Sequence, residues 1–198
     1  MIKKIKEASK LIRSGKLVIY PTDTLYALGC DALNEHAIRR VFLVKKRSFS
    51  KPLPIAVHSI EMMERYAYLN EKAKVLIKEF LPGALTIVLK KKEKIPHILT
   101  AGFDKVAIRI PANDIALRLI EAAEVPLVAT SANISGEPPP ASIEKIKIKA
   151  DYILDGGKLE GIPSTIVDLT EKKPKILRRG MIDEQRIFKV LQKSGRDS

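Results

Sequence analysis

Residues 17–29 have the sequence LVIYPTDTLYALG. The first four, Leu17 to Tyr20, are bulky and apolar, and Pro21 ends the run. Short apolar runs bounded in this way are typical of a strand that is buried on both faces. The polar segment after the proline carries hydroxyls and one carboxylate and closes at Gly29. We therefore expect a buried strand whose polar end lies in a crevice at a sheet edge, where the ligands of open α/β sheets bind.

Helical and extended patterns alternate on both sides of this strand. Apolar residues recur at helical spacing from Ile2 to Ile12 and stop at Gly15, a typical residue just after a helix. The remaining patterns predict helices that begin near Asn34, Ser59 and Asn70 and that cover 115–123 and 183–192, with extended segments at 53–57, 84–89, 106–110, 127–130, 152–154, 165–169 and 175–177. Several strands follow one another with only turns between them, so the sheet should be mixed. We predict an α/β (α+β) fold, a twisted open mixed β-sheet flanked by helices.

The length of 198 residues suits one compact domain. We predict a single domain over residues 1–198 with its core at about 5–190, because no internal repeat or low-complexity linker divides the chain. Cys30 is the only cysteine, which excludes an intramolecular disulfide and a zinc cluster built from thiolates. His36, His58 and His97 stand apart without metal-ligand spacing, so we expect no metal site built by the protein.

The net charge identifies the expected class of partner. The chain has 36 Lys and Arg against 23 Asp and Glu, a formal charge of +13. Nucleic acids, nucleotides and anionic membrane surfaces suit such a protein, although lysine-rich proteins can also be basic for reasons of thermal stability. The sequence contains neither a signal-peptide pattern nor 18 consecutive apolar residues. We therefore expect a cytoplasmic protein with no membrane partner.

Residues 45–51 form the most basic of three further candidate segments. They contain Lys45, Lys46, Arg47 and Lys51, four cations in seven positions. Arginine and lysine together can neutralise the negative charge on the oxygens of a polyphosphate. Cations at a helix end can also simply complement the helix dipole. Both interpretations stay open at this point.

The other two segments combine hydroxyls with small residues or cations. Residues 130–136, TSANISG, follow a strand and offer N–H groups that an anion can approach closely. Residues 163–168, PSTIVD, and 176–180, ILRRG, place hydroxyls and then arginines beside strands. For each of these segments, and for the polar part of 21–29, the alternative is a turn that only satisfies backbone groups.

Arg109 has a defined direction on the predicted sheet. Because side chains alternate along a strand, Ala107 and Arg109 should point to one face, with Val106, Ile108 and Ile110 on the other. A strand gives arginine the fixed position that carboxylate binding prefers. The spacings of a Walker phosphate loop and of GxGxxG do not occur in the chain.

Taken together, these segments resemble the YrdC family of threonylcarbamoyl-adenylate synthases, over nearly the whole chain. The family's lysine-x-arginine is similar to Lys45 to Arg47, and its serine-x-asparagine is similar to Ser131 to Asn133. Further stretches that look like the family's signatures, in its order, are PTDTLYALG, FLPGALTIVL, VAIRIP, ATSANISG, PSTIVD and ILRRG. The resemblance implies a YrdC/RibB-like fold, with a twisted mixed sheet that has a basic concave face.

The resemblance also implies an activity. The enzyme would be a nucleotidyltransferase that converts L-threonine, bicarbonate or carbon dioxide, and ATP to threonylcarbamoyl-AMP and pyrophosphate. The product serves threonylcarbamoyladenosine modification of tRNA, and a separate threonylcarbamoyl transferase would receive it. Mg²⁺ would accompany ATP as the cofactor. The tRNA itself, or double-stranded RNA, is a further candidate partner.

Residue roles follow from the same resemblance. The catalytic residues would be Lys45 and Arg47. ATP would be bound by Arg47, Lys51, Ser131, Asn133 and Arg178. Threonine would be bound by Thr24, Arg109, Thr130 and Ser164. Arg179 stands where the family has a proline, which leaves open whether Arg178 or Arg179 contacts phosphate.

Two other functions compete with this interpretation. A binding module that recognises double-stranded RNA or tRNA by shape, without catalysis, would need only clusters such as Lys90 to Lys94 and Lys145 to Lys149. A relative that handles carbamoyl groups with another acceptor would keep the fold, although Thr24 and Ser164 argue against it.

Overall fold

The computed structural model describes residues 1–194, and within that range it contains six α-helices, ten strands and one short 3-10 helix. The helices are α1 (Ile2–Arg13), α2 (Glu35–Val44), α3 (Ile60–Glu64), α4 (Glu71–Phe80), α5 (Asp114–Ala123) and α6 (Glu184–Ser194), and the 3-10 helix covers Ile143–Lys145. The strands are β1 (Val18–Pro21), β2 (Tyr26–Gly29), β3 (Ile55–Ala56), β4 (Leu85–Lys90), β5 (Lys105–Arg109), β6 (Leu127–Val128), β7 (Thr130–Ser131), β8 (Tyr152–Ile153), β9 (Thr165–Asp168) and β10 (Lys175–Arg178). Across residues 1–194, every helix is too short or too polar to cross a membrane.

Three helices begin at the residues that the sequence predicts. The side chains of Asn34, Ser59 and Asn70 each accept a hydrogen bond from the backbone N–H three residues later, at 3.1, 3.2 and 2.9 Å. Each such cap satisfies a donor that the helix itself leaves free, and contributes about 1 kcal/mol. The starts of α2, α3 and α4 are therefore fixed by local chemistry.

The strands are divided between two sheets. The first has the order β7-β2-β1-β8, and the second has the order β10-β9-β4-β5-β3-β6. Parallel pairs (β1 with β8, β3 with β5, β4 with β9) occur beside antiparallel ones in both sheets. The expected mixed α/β fold is confirmed, and the division into two sheets is a feature that the sequence pattern does not specify.

The two sheets meet where β6 is followed by β7. The N–H of Val128 donates to the carbonyl of Cys30 at 2.9 Å, and Asp31 forms an isolated bridge with Leu127. One residue later the chain leaves the second sheet, and Thr130 pairs with Leu28 in the first. Residues at this crossing are therefore held by both sheets.

Strand β2 was not predicted. The sequence suggests a polar segment and a glycine turn over residues 21–29, whereas Tyr26 to Gly29 pair with β1 in an antiparallel hairpin. Thr22 closes the hairpin, because its Oγ1 donates to the carbonyl of Leu25 at 2.7 Å and accepts from two N–H groups of the turn. All four residues of β2 are buried, so the strand lacks the alternation that identifies half-buried strands.

The two faces of β5 separate the core from the site. Val106, Ile108 and Ile110 are at most 3% exposed and belong to a cluster of buried apolar side chains that extends from Ile5 to Ile187. Ala107 and Arg109 line a cavity on the opposite face. This confirms the strand-face prediction for Arg109.

Candidate active site

A cavity of about 400 Å³ opens between the two sheets. Its lining includes seven of the predicted site residues: Thr24, Arg47, Arg109, Thr130, Ser131, Ser164 and Arg178. These residues come from the turn after β1, the segment after α2, strands β5, β7 and β10, and the residue just before β9. The fold therefore brings all four polar segments of the sequence to one place. The other three predicted residues, Lys45, Lys51 and Asn133, lie outside the lining.

Arg109 is held from two sides at the bottom of the cavity. Its Nη2 donates to Asp23 Oδ1 at 2.5 Å and to the Gly83 carbonyl at 2.9 Å, and its Nη1 donates to Thr24 Oγ1 at 3.2 Å. Burial lowers the pKa of Arg109, and the charge of Asp23 opposes that effect. The side chain is thus fixed and charge-compensated before any ligand binds.

The same contacts limit how Arg109 can bind a carboxylate. Its Nε is buried and has no hydrogen-bond partner among residues 1–194. Both protons of Nη2 are used by Asp23 and Gly83, so a bidentate contact with a carboxylate would have to displace one of them. The donors that remain for a ligand are Nε and the second proton of Nη1.

Ser164 and Arg178 both line the cavity and contact each other. The Ser164 hydroxyl lies 2.8 Å from Thr86 Oγ1 and accepts from Arg178 Nη2 at 2.9 Å. The Ser164 carbonyl also accepts from Arg178 Nε at 3.0 Å. Arg179 turns away and pairs with Glu184 at 2.8 Å, with 82% of its side chain exposed. Of the two arginines, Arg178 is the one that lines the cavity.

Two of the four cations in the lining have no carboxylate partner among residues 1–194. Arg47 donates only to the carbonyls of Lys51 and Pro52, at 3.1 and 2.9 Å, and Arg178 donates only to Ser164. By contrast, Arg109 and Lys105 pair with Asp23 and Asp168. Burial lowers the pKa of Arg47 and of Arg178, and the charge of Arg109 lowers that of Arg178 further. Uncompensated positive charge in a partly dehydrated cavity favours an anionic ligand.

Lys45, at the end of α2, contacts Asn133 in the turn that begins at Ser131. The ammonium of Lys45 donates to the carbonyls of Ser131 and Asn133, and Asn133 Oδ1 accepts from the Ser131 hydroxyl at 2.5 Å. Lys45 is 1% exposed. Lys51 is exposed and contributes its carbonyl to Arg47.

Several residues of the site were missed from the sequence. Asp23 and Thr86 position Arg109 and Ser164, and Tyr26 and Lys105 line the cavity. Thr86 interrupts an otherwise apolar strand, and Lys105 lies four residues before Arg109 on the same strand face, so period-two alternation could have identified both. No sequence signal links Asp23 to Arg109.

Metal ligands are sparse in the described part of the chain. No group of three or more His, Cys, Asp or Glu side chains in residues 1–194 could hold an ion. The cavity lining offers hydroxyls and cations and contains no carboxylate. A Mg²⁺ ion that arrived with a nucleotide would therefore be coordinated here by phosphate oxygens and water, without the one or two protein carboxylates that usually join them.

The family model for Sua5, YciO and YrdC proteins, described as telomere recombination, matches residues 10–180. The chain belongs to the Sua5/YciO/YrdC family. The threonylcarbamoyl-AMP synthase of Pyrococcus abyssi is 46% identical over 95% of this chain and 57% of its own length. A putative threonylcarbamoyl-AMP synthase of Methanocaldococcus jannaschii is 44% identical over 93% of this chain and 90% of its own.

A solved member of the Sua5/YciO/YrdC family has the same fold. The crystal structure of P. abyssi Sua5 complexed with L-threonine superposes with a TM-score of 0.92 at 45% identity, over 96% of this chain and 58% of that one. The chain thus spans a little over half the length of the Pyrococcus relative. These similarities confirm the family resemblance and the α/β architecture.

Proposed function

We propose that this protein synthesises threonylcarbamoyl-AMP and pyrophosphate from L-threonine, bicarbonate or carbon dioxide, and ATP. The observation that carries the proposal is the pair Arg47 and Arg178, two arginines that line one cavity without a carboxylate partner in residues 1–194. A polyphosphate would supply the missing negative charge. The names of the Pyrococcus and Methanocaldococcus relatives support the same reaction and favour it over an RNA module or another carbamoyl acceptor.

L-Threonine is proposed to bind at the Arg109 end of the cavity. Arg109 Nε is a buried donor that finds no acceptor in the described part of the chain, and a substrate carboxylate would satisfy it. The hydroxyls of Thr24, Thr130 and Ser164 lie on the same lining and offer partners to the amine and the hydroxyl of threonine. The crystal structure of Pyrococcus Sua5 in complex with L-threonine supports this proposal, because that relative has the same fold.

The proposed chemistry needs no covalent intermediate with the protein. The threonine amine adds to carbon dioxide with loss of a proton, or condenses with bicarbonate with loss of water, to give a carbamate. A carbamate oxygen then bonds to the α-phosphorus of ATP while the bond from that phosphorus to the bridging oxygen breaks, and pyrophosphate leaves. Two anions must meet, so the work of the site is positioning and charge stabilisation.

The residues divide that work by position. Arg47 is the proposed catalytic residue, because its guanidinium lines the cavity and can neutralise charge that develops on the phosphoryl group. Arg178 and Ser131 are the other proposed ATP contacts on the lining, and Lys51 lies beside Arg47. Mg²⁺ is proposed to arrive with ATP and to neutralise part of the triphosphate charge.

Three wider proposals complete the function. The product, a reactive mixed anhydride, is proposed to pass to a separate threonylcarbamoyl transferase for tRNA modification. The exposed lysines within 90–94 and 145–149 are the proposed contacts for tRNA or double-stranded RNA, since phosphate contacts dominate such binding. The cytoplasm is the proposed location.

The test is pyrophosphate release by the purified protein with ATP and Mg²⁺. Release is expected only when L-threonine and bicarbonate are both present. Arg178→Met should reduce it strongly, because a phosphate contact is lost, whereas Arg179→Met should not, because that side chain pairs with Glu184 outside the cavity. Equal losses in the two variants, or release that does not depend on threonine, would contradict the proposal.

A further inference from the structure

The ammonium of Lys45 is fully used inside the protein. It donates to the carbonyls of Ser131 and Asn133 and lies 3.4 Å from Asn133 Oδ1. An ammonium has three donors, and these three oxygens take all of them. The side chain is 1% exposed and does not line the cavity. In the state described, no donor remains for a phosphate.

Lys45 contacts three residues of the turn at residues 131–137. Its ammonium contacts Ser131 and Asn133, and its backbone carbonyl accepts from the N–H of Ser135 at 2.8 Å. The side-chain amide of Asn133 donates to the carbonyl of Glu137 at 2.6 Å. The last residue of the turn is therefore bonded to Asn133, which itself contacts Lys45. The ammonium of Lys45 thus fixes the first half of this turn, and the backbone of Lys45 and the amide of Asn133 hold the second half.

The direction of the carbonyls matters for an anion. The C=O of Asn133 and the N–H of Ile134 belong to one planar trans peptide and point in opposite directions. Because the carbonyl is drawn to Lys45, the N–H of Ile134 points away from it, and within residues 1–194 this N–H donates to no acceptor. Free N–H groups in such a turn are suited to phosphate oxygens.

We propose that Lys45 is a positioning residue for nucleotide binding: it orients the turn at residues 131–137 from behind and acts on ATP through that turn, without touching the substrate. The proposal rests on the proposed function only for the identity of the nucleotide. Burial, together with the neighbouring charge of Arg47, lowers the pKa of Lys45 to about 8, which agrees with an ammonium that has only neutral acceptors.

The experiment compares Lys45→Met with Lys46→Met. Lys46 is the adjacent residue, its side chain is exposed, and its replacement removes the same charge. Calorimetry measures the dissociation constants of ATP and of threonine separately, and amide NMR spectra of the free protein report the turn. We expect Lys45→Met to shift the amide signals of residues 131–137 and to weaken ATP binding by about tenfold or more. Threonine binding should stay within about twofold, and Lys46→Met should change neither.

Three results would overturn the proposal. The first is weaker ATP binding with unchanged turn signals, because this indicates direct contact between Lys45 and phosphate. The second is shifted turn signals with unchanged ATP binding, because the turn would then be separate from the nucleotide site. The third is an equal effect of Lys46→Met. A wild-type protein that binds no ATP at all would instead refute the proposed function, while the turn signals would still decide how Lys45 acts on the turn.

A measurement on the wild-type protein covers the case in which Lys45→Met does not fold. With ¹⁵N-labelled lysine, the ammonium of Lys45 should give a signal that is protected from exchange without nucleotide and keeps its position when ATP is added. A signal that is seen or moves only with ATP would show contact with the substrate and would overturn the proposal.

Discussion

Replacing Asp23 by asparagine should destabilise the protein through Arg109. Asp23 and Arg109 form an ion pair at 2.5 Å, with 13% and 7% of their side chains exposed. Asparagine keeps an oxygen that can accept the hydrogen bond but removes the charge, so the guanidinium stays buried without a counter-ion. Breaking a buried pair in this way costs about 3–5 kcal/mol. Because water can reach Arg109 through the cavity, we expect the lower end, about 3 kcal/mol.

Urea and thermal unfolding measure this effect. A loss of about 3 kcal/mol in a domain of this size corresponds to a fall of roughly 6–12 °C in Tm. Glu71→Gln is the matched control, since Glu71 and Lys74 pair at 2.7 Å with 85% and 56% of their side chains exposed. This control should change the free energy of unfolding by less than about 0.5 kcal/mol. A loss of less than about 1 kcal/mol for Asp23→Asn would refute the claim that Asp23 compensates a buried charge.

Three further predictions concern other contacts. Gly29→Ala should lower the free energy of unfolding by about 1–3 kcal/mol in urea, because the added Cβ would lie 2.5 Å from Tyr20 Cε1 and 2.9 Å from the Val128 carbonyl; unchanged stability would contradict this packing. Ser164→Ala should weaken threonine binding in calorimetry and leave ATP binding nearly unchanged, because the carbonyl contacts to Arg178 remain; the reverse order would argue against the threonine site. Since the pKa of Lys45 is lowered from 10.5 to about 8, the unfolded chain binds this proton more tightly than the folded one. The wild-type free energy of unfolding, minus that of Lys45→Met, should therefore rise between about pH 8 and pH 10.5, and a fall over that range would contradict the buried charge.

Local chemistry explains which parts of the fold could be predicted from the sequence. The capping side chains at Asn34, Ser59 and Asn70 act within three residues, so composition and spacing reveal them. The direction of Arg109 follows from strand alternation, which is also local. The sequence pattern does not predict the short strand β2, because its residues are buried on both faces and its pairing is set by the hairpin with β1.

The sequence predicts which segments meet at the cavity, but it does not predict which side chains contact each other there. The polar ends of the strands indicate which segments meet, and seven of ten predicted residues line the cavity. The partners of those residues are distant along the chain: Asp23 lies 86 residues from Arg109, and Lys45 lies 88 residues from Asn133. Nothing in the spacing distinguishes a lysine that faces a ligand from one that supports a turn. The contacts of these side chains, unlike the strand face of Arg109, had to come from the structure.

The fate of the bicarbonate carbon tests the proposed function most directly. The protein is incubated with ATP, Mg²⁺, L-threonine and ¹³C-bicarbonate, and the adenylate that forms is analysed by mass spectrometry and ¹³C NMR. We predict one labelled carbamate carbon in the product for each pyrophosphate released, with no adenylate when carbon dioxide is rigorously removed. An unlabelled threonyl adenylate that forms equally well without carbon dioxide would contradict the account.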